Sequence, residues 1–191
     1  MSGFMAVAFF LVSLFFSFII FSLWIRMALR YLRVSSLNPF SHLIHTVTNP
    51  LIAPINSLTR LKYEPKHRYD WTALGVLIAV EFIKIIILSL LAFHAVIPFL
   101  FLCVYVIADL IIQPCDLLFY AILIRVIMSF ANPGWQHPFA DFLRLVTEPL
   151  LRIGRRIVPD ISGFDFSPFI MMIVLKVITL FISASLPWPL I

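Results

Sequence analysis

The stretch Pro39-Phe40-Ser41-His42-Leu43-Ile44-His45-Thr46-Val47-Thr48-Asn49-Pro50-Leu51 returns 99 residues later, without a gap, as Pro138-Phe139-Ala140-Asp141-Phe142-Leu143-Arg144-Leu145-Val146-Thr147-Glu148-Pro149-Leu150. Pro, Phe, Val, Thr, Pro and Leu coincide at that offset, and the apolar positions 40, 43, 44 and 47 recur at 139, 142, 143 and 146. Upstream, Ile25-Arg26 falls on Ile124-Arg125. Self-similarity of this kind marks a duplicated unit, so each feature is to be read in both copies. Residues 1–94 form the first repeat and residues 95–191 the second.

Inside the stretch, Phe40, Leu43, Ile44 and Val47 recur at i, i+3, i+4 and i+7, with Ser41, His42, His45 and Thr46 on other faces. That spacing predicts an amphipathic helix on the membrane surface. The second copy adds Arg144, Arg152, Arg155 and Arg156 beside its apolar stripe of Phe139, Phe142, Leu143 and Val146, as a helix held by anionic headgroups should. Pro50 disfavours helix at the residue before it, and Thr48 is a good N-cap. The repeated Thr-x-Pro therefore predicts a hinge between two short helices, with Leu51, Ile52 and Ile55 inward after the restart.

The remaining sequence places this stretch between membrane spans. Of 191 residues, 62% are hydrophobic and 12% charged, with mean hydropathy +1.07, whereas about 25% of an ordinary soluble domain is charged. Residues 4–25 carry no charge and are long enough to cross a hydrocarbon core of about 30 Å. Arg26, Arg30 and Arg33 follow this run rather than precede it, which predicts a retained span and not a cleaved signal peptide. Further spans are expected at 71–93 and from Ser167, with Ser167 as N-cap and Pro168 at the first helical position. The apolar region 97–128 contains Pro114, Asp109, Gln113 and Asp116. The repeat maps 4–25 onto 103–124, which favours one kinked helix there over two short ones.

Half of the Lys and Arg residues lie in the first connector (Arg26, Arg30, Arg33, Arg60, Lys62, Lys66, Arg68), and Arg125, Arg144, Arg152, Arg155 and Arg156 lie in the second. Residues 94–97 and the C-terminus have none. The positive-inside rule then puts both connectors in the cytoplasm and both termini outside, with Pro187-Trp188-Pro189 ending the last helix at the outer interface. The cysteines Cys103 and Cys115, about 18 Å apart on one helix, cannot pair with each other.

Ionisable residues inside a membrane are costly and invite a functional reading. Glu81, Lys84, Asp109 and Lys176 fall near mid-span with charges that sum to zero, and a closed polar network that fixes helix packing weighs more than an ion path. Asp116 has no obvious basic partner at its depth, and its counterpart in the first copy, Ser17, could satisfy it in a protonated state. His42 and His45 at i, i+3 lack a third ligand for a metal or haem, so no cofactor is expected. No nucleophile stands with a base and no glycine loop cradles phosphate, so no enzyme activity is expected. Nucleic-acid binding is not expected either, given so little exposed surface.

Asn38-Pro39-Phe40, the two Thr-x-Pro-Leu stretches, Arg155-Arg156-Ile157-Val158-Pro159 and Gly163-x-Asp165-Phe166-Ser167-Pro168 together resemble the YggT family of small bacterial membrane proteins in its two-copy form. The first copy departs from the pattern, with Asn56-Ser57 at the place of Arg155-Arg156 and Tyr69-Asp70-Trp71 only loosely matching Phe164-Asp165-Phe166. The family it resembles has no established enzymatic activity. The resemblance implies association with bacterial cell division and with cytochrome assembly in plastids, both for single-copy relatives, and with osmotic tolerance for two-copy ones.

The sequence thus reads as an all-α protein of the bacterial inner membrane. Its four spans form two parallel two-helix repeats, each with an amphipathic interfacial connector. The expected function is that of an accessory, scaffold or assembly factor, with a small ion or solute transporter as the alternative. Anionic lipid headgroups and other membrane proteins, or a second copy of the chain, are the expected partners.

Overall fold

A computed structural model of the chain describes residues 3–34, 39–59, 69–131, 137–157 and 165–188. Asn38, Arg60, Lys62, Lys66, Arg68, Val158, Pro159, Gly163, Phe164 and Pro189, invoked above, lie outside them. The described residues form six helices and no strand: α1 (Gly3–Tyr31), α2 (Pro39–Thr59), α3 (Trp71–Phe93), α4 (Phe99–Ala131), α5 (Pro138–Ile157) and α6 (Ser167–Ala184). Four of them, α1, α3, α4 and α6, are long and apolar enough to cross a membrane. The 33 residues of α4 run through Pro114 as one helix.

Helices α1 and α3 pack on each other with α2 laid against both, and α4, α5 and α6 repeat that arrangement. In the first set Ile20, Leu23, Ile52, Val76, Leu77 and Val80 share a core; in the second, Ile122, Leu151, Met171 and Leu175 do. The two sets meet where α3 packs on α4 and where Phe40 of α2 meets Phe139 and Phe142 of α5, with ring centroids 5.4 and 5.0 Å apart. Most of the outward surface of α1 is apolar, including Phe10, Phe15 and Phe18.

One expectation about the connectors is corrected. Helix α2 continues through Pro50 and Pro54, and α5 through Pro149, with no break at the Thr-x-Pro. The carbonyls that these prolines leave unpaired, on Thr46, Pro50 and Leu145, belong to exposed residues, where water or headgroups can bond them, while the opposite face is anchored to the spans. The apolar stripe is shared between protein and surface. Leu43 is exposed, and the buried face of α2 is Ser41, Ile44, Thr48 and Ile52. In α5, Phe142 and Leu143 are buried together with Ala140, Thr147, Leu151 and Gly154. Each connector helix therefore packs one face on protein and leaves another open.

Helix ends also differ from expectation, and α1 runs on to Tyr31. Ser167 is the first residue of α6 and not its cap; Asp165 Oδ1 accepts from the Ser167 N–H at 2.9 Å, and Pro168 follows in the first turn. Asp70 does the same work for α3, accepting from Ala73 N–H at 3.1 Å. α6 stops at Ala184, and the chain folds back so that the Tyr105 hydroxyl accepts from the Trp188 N–H and donates to its carbonyl, both at 2.8 Å.

Candidate functional site

Two polar systems stand out, one at mid-span and one at the end where α2 and α5 lie. At mid-span, Glu81 and Lys84 are neighbours on one face of α3, and Lys84 Nζ reaches both Glu81, at 3.2 Å, and Asp109 of α4. Gln113 donates to Asp109 from one turn further along α4 at 3.4 Å. The relative exposures of Glu81, Lys84 and Asp109 are 0%, 3% and 3%, so this triad is withdrawn from solvent and lipid alike. Charges so placed must be compensated by each other, because a buried ion left alone is strongly unfavourable.

Lys176, expected among these residues, is elsewhere. It lies 3.4 Å from Asp116, so α6 supplies the basic partner that Asp116 lacked in the sequence, and Ser17 does not fill that place. This second pair is half open, with side chains 47% and 35% exposed, and the ammonium also sits 5.7 Å from the centre of the Phe119 ring. Between α1 and α4 runs a cleft of about 460 Å3 lined by Ser13, Ser17, Trp24, Lys84, Asp109, Gln113 and Asp116 among others. The Trp24 indole N–H is buried with no hydrogen-bond partner among the described residues.

The second system is where the repeated motif does its work. Arg26 of α1 donates from Nη1 to the Thr48 hydroxyl and to the Asn49 side-chain oxygen, both at 2.8 Å. Its copy, Arg125 of α4, donates to the Thr147 hydroxyl at 2.8 Å and to Glu148 at 2.9 Å. Each threonine hydroxyl in turn donates to the carbonyl four residues back, Ile44 or Leu143. The repeated Thr is thus a relay that ties the connector helix to the first span, and not a cap. Sequence reading missed this, although Arg and Thr stand 22 residues apart in both copies.

An acid at the start of the second span completes each clamp. Asp70 receives Arg26 at 3.4 Å and Arg30 at 3.1 Å. Asp165 receives Arg155 Nε at 2.9 Å, and Arg155 Nη1 also holds Glu148 at 3.0 Å. Hydrogen bonds from Arg125, then Arg155, hold the Glu148 carboxyl below its ordinary range in spite of partial burial. Burial pushes Asp165 up, but bonds from Ser167 and Arg155 outweigh it and leave the group lowered. Burial and the neighbouring Arg26 push His45 down. Arg156 is exposed beside Arg155; Pro39 and Pro138 begin the two connector helices, and Pro50 and Pro149 lie inside them.

Spans with outward faces this apolar are solvated by a bilayer, and the class is that of helical multi-span membrane proteins with an internal repeat. The profile of the CCB3/YggT family matches residues 5–91 and again 104–186. The chain belongs to that family. It is 32% identical over 167 residues to the uncharacterized protein YggT of Escherichia coli K12, covering 86% of this chain and 82% of the relative. It is 30% identical over 171 residues to an uncharacterized protein of the proC 3' region of Vibrio alginolyticus, covering 87% and 88%. An uncharacterized protein of Haemophilus influenzae Rd is 28% identical over 151 residues, covering 79% and 77%. No solved structure matches the chain.

The family copies begin 99 residues apart, at 5 and 104, and end 95 apart, at 91 and 186. The register therefore shifts by four residues in the second connector. After the shift Asp70 stands with Asp165, Val80 with Leu175, and Glu81 with Lys176. An acid in one copy is thus a base in the other.

Proposed function

We propose that the chain is a non-enzymatic accessory protein of the bacterial inner membrane, a scaffold or assembly factor built from two parallel two-helix repeats. The observation that carries this reading is the buried Glu81–Lys84–Asp109 triad, which joins α3 of one repeat to α4 of the other. A buried charge set shared between two helices fixes how they pack. The basic ends of the spans support a reading with the connectors in the cytoplasm and both termini in the periplasm. The partners in this reading are anionic lipids at the arginine-rich α5, and other membrane proteins or a second copy at the half-open Asp116–Lys176 face. Cell division, cytochrome assembly and osmotic tolerance are the settings the family resemblance suggests.

A small ion or solute transporter is the second reading, favoured by the polar-lined cleft between α1 and α4. The two diverge at the triad. On the scaffold reading, Lys84→Met leaves two buried carboxylates without their cation and costs about 3–5 kcal/mol, so yield and thermal stability fall together. Replacing all three with apolar residues, as Glu81→Leu, Lys84→Met and Asp109→Leu, should restore much of the loss. Well-folded Asp109→Asn and Asp116→Asn variants that abolish an ion flux shown by the wild type in liposomes would overturn the first reading in favour of the second.

A further inference from the structure

The mid-span charges cease to balance once their partners are known. Taken from the sequence, Glu81, Lys84, Asp109 and Lys176 sum to zero, but Lys176 is engaged by Asp116, 3.4 Å away on α4. The buried triad is left with two carboxylates against one ammonium, a net negative charge when every group is ionised. No other charge stands near enough to cancel it. Residues 4–25 of α1 carry none, α2 has no lysine, arginine, aspartate or glutamate, and the charged neighbours of Glu81 are Asp109 and Lys84.

The two carboxyls are unequally served. Asp109 accepts from Lys84 and, at 3.4 Å, from Gln113. Lys84 Nζ lies 3.2 Å from Glu81 Oε2 but outside hydrogen-bond geometry, and neither oxygen of Glu81 has a hydrogen-bond partner among the described residues. Glu81 is also the most deeply buried of the three, with no exposed surface at all. It follows Trp71, the first residue of α3, by about 15 Å along the helix axis, near the middle of a hydrocarbon core of about 30 Å. An ionised carboxylate there gives up its hydration and receives no donor in exchange. The neutral acid gives up far less, and the Asp109 carboxylate beside it can accept its O–H.

We infer that the triad is a proton-binding site, holding one proton on Glu81, whose hydroxyl donates to Asp109 while Asp109 and Lys84 remain an ion pair. Water supplies the proton: an O–H bond forms on the Glu81 carboxylate, and the triad becomes neutral. Where two carboxyls share a site one of them takes a proton, and the one with donors aimed at it stays ionised. A metal cation asks for several oxygen ligands, and here the Lys84 ammonium already stands against both carboxyls and repels it. The way in is past Asp109. Asp109, Gln113 and Asp116 line the cleft between α1 and α4, and Glu81 is enclosed behind them. The bound proton rests on the charge count of a triad that the scaffold reading also uses, but its readout is protonation and not packing, so either can fail without the other.

Infrared spectra of the full chain in detergent at neutral pH should show the C=O stretch of a protonated carboxyl, shifted on transfer to heavy water. Glu81→Gln, which keeps the shape of the neutral acid, should abolish that band, and Asp116→Asn, which leaves the triad alone, should retain it. Linkage gives a second readout, because the native state holds a proton that the unfolded chain releases. From about pH 6 to about pH 8 the unfolding constant of the wild type should rise by up to about tenfold per pH unit relative to that of Glu81→Gln. Absence of the band, its survival in Glu81→Gln, or equal pH slopes for the two proteins overturns the site. An unfolding midpoint that climbs with sodium or potassium at constant ionic strength, without the band, makes a metal cation the occupant and overturns the proton. Should Glu81→Gln fail to fold, carboxyl isotope labelling of the wild type decides the matter: the band must move with labelled glutamate, and movement with labelled aspartate overturns the assignment to Glu81.

Discussion

At the residue scale the clamps show how one sequence position acquires its chemistry from elsewhere in the chain. Thr48 and Thr147 read locally as helix caps, and the structure makes them acceptors for an arginine 22 residues upstream. The arginine and the threonine were both visible as repeated residues. Their bond was not, because it depends on where the connector helix lies against the span. The pairing of Asp116 with Lys176 was hidden because the two stand 60 residues apart on separate helices, and their meeting depends on how α6 packs on α4. The second clamp also carries a pH dependence. Glu148 and Asp165 have carboxyls held below their ordinary range. A lowered native pKa gives stability that is complete above the unfolded carboxylate range and is lost as pH falls through the native value. Thermal stability of the wild type should therefore decline on acidification from neutral pH into and below the usual carboxylate range, and Glu148→Gln, which removes one of the two carboxyls, should flatten that decline. Parallel curves for the two proteins would show that Glu148 carries none of it.

At the element scale, the spans were legible in number and place, since an uninterrupted apolar run has few other solutions; α3 occupies the expected 71–93, while α1 runs on past residue 25 to Tyr31 and α4 to Ala131. The connector helices were legible in period and not in continuity. The rule that a residue before proline leaves the helical region is a local preference, and an anchored buried face outweighs it in α2 and α5. Gly154 is the point where α5 depends on its neighbour most closely. A Cβ there would stand 2.9 Å from Met171 Cγ and 3.0 Å from Ser167 Cβ, so only glycine lets α5 lie this near α6. The corresponding residue at the 99-residue offset is Ile55, a bulk the first copy accepts between α2 and α3. Gly154→Leu should push α5 away from α6 and cost about 1–3 kcal/mol, the usual penalty of overpacking. Its unfolding midpoint should drop, while Gly75→Ala, on an exposed part of α3 where an added Cβ meets nothing within 4 Å, should leave the midpoint within error. Equal effects of the two substitutions would mean that the α5–α6 contact does not bear on stability.

At the scale of the whole molecule, connectivity constrains orientation. A unit of span, connector helix and span leaves the membrane and returns from the same side, so a duplicate joined by the short turn after α3 must have the same sense as the first. On the proposed arrangement the two repeats are related by an axis along the membrane normal, unlike inverted-repeat transporters, where the axis lies in the membrane plane. The charges assign the sides: Arg26, Arg30, Arg125, Arg144, Arg152, Arg155 and Arg156 gather at the connector end, while the turn through His94 and Ala95 has no lysine or arginine. Single cysteines tell the two ends apart in a background with Cys103 and Cys115, both partly buried on α4, replaced by serine. Ala95→Cys and Gly3→Cys lie at one end on exposed positions, and Ser57→Cys and Arg144→Cys lie at the other. An impermeant thiol reagent added to intact cells with a permeable outer membrane should label the first two, and should reach the second two only after the inner membrane is opened. Labelling of Ser57→Cys or Arg144→Cys in intact cells would reverse the orientation. Labelling of Ala95→Cys without Gly3→Cys would break the equal sense of the repeats, and with it the argument that one hairpin unit was duplicated without inversion.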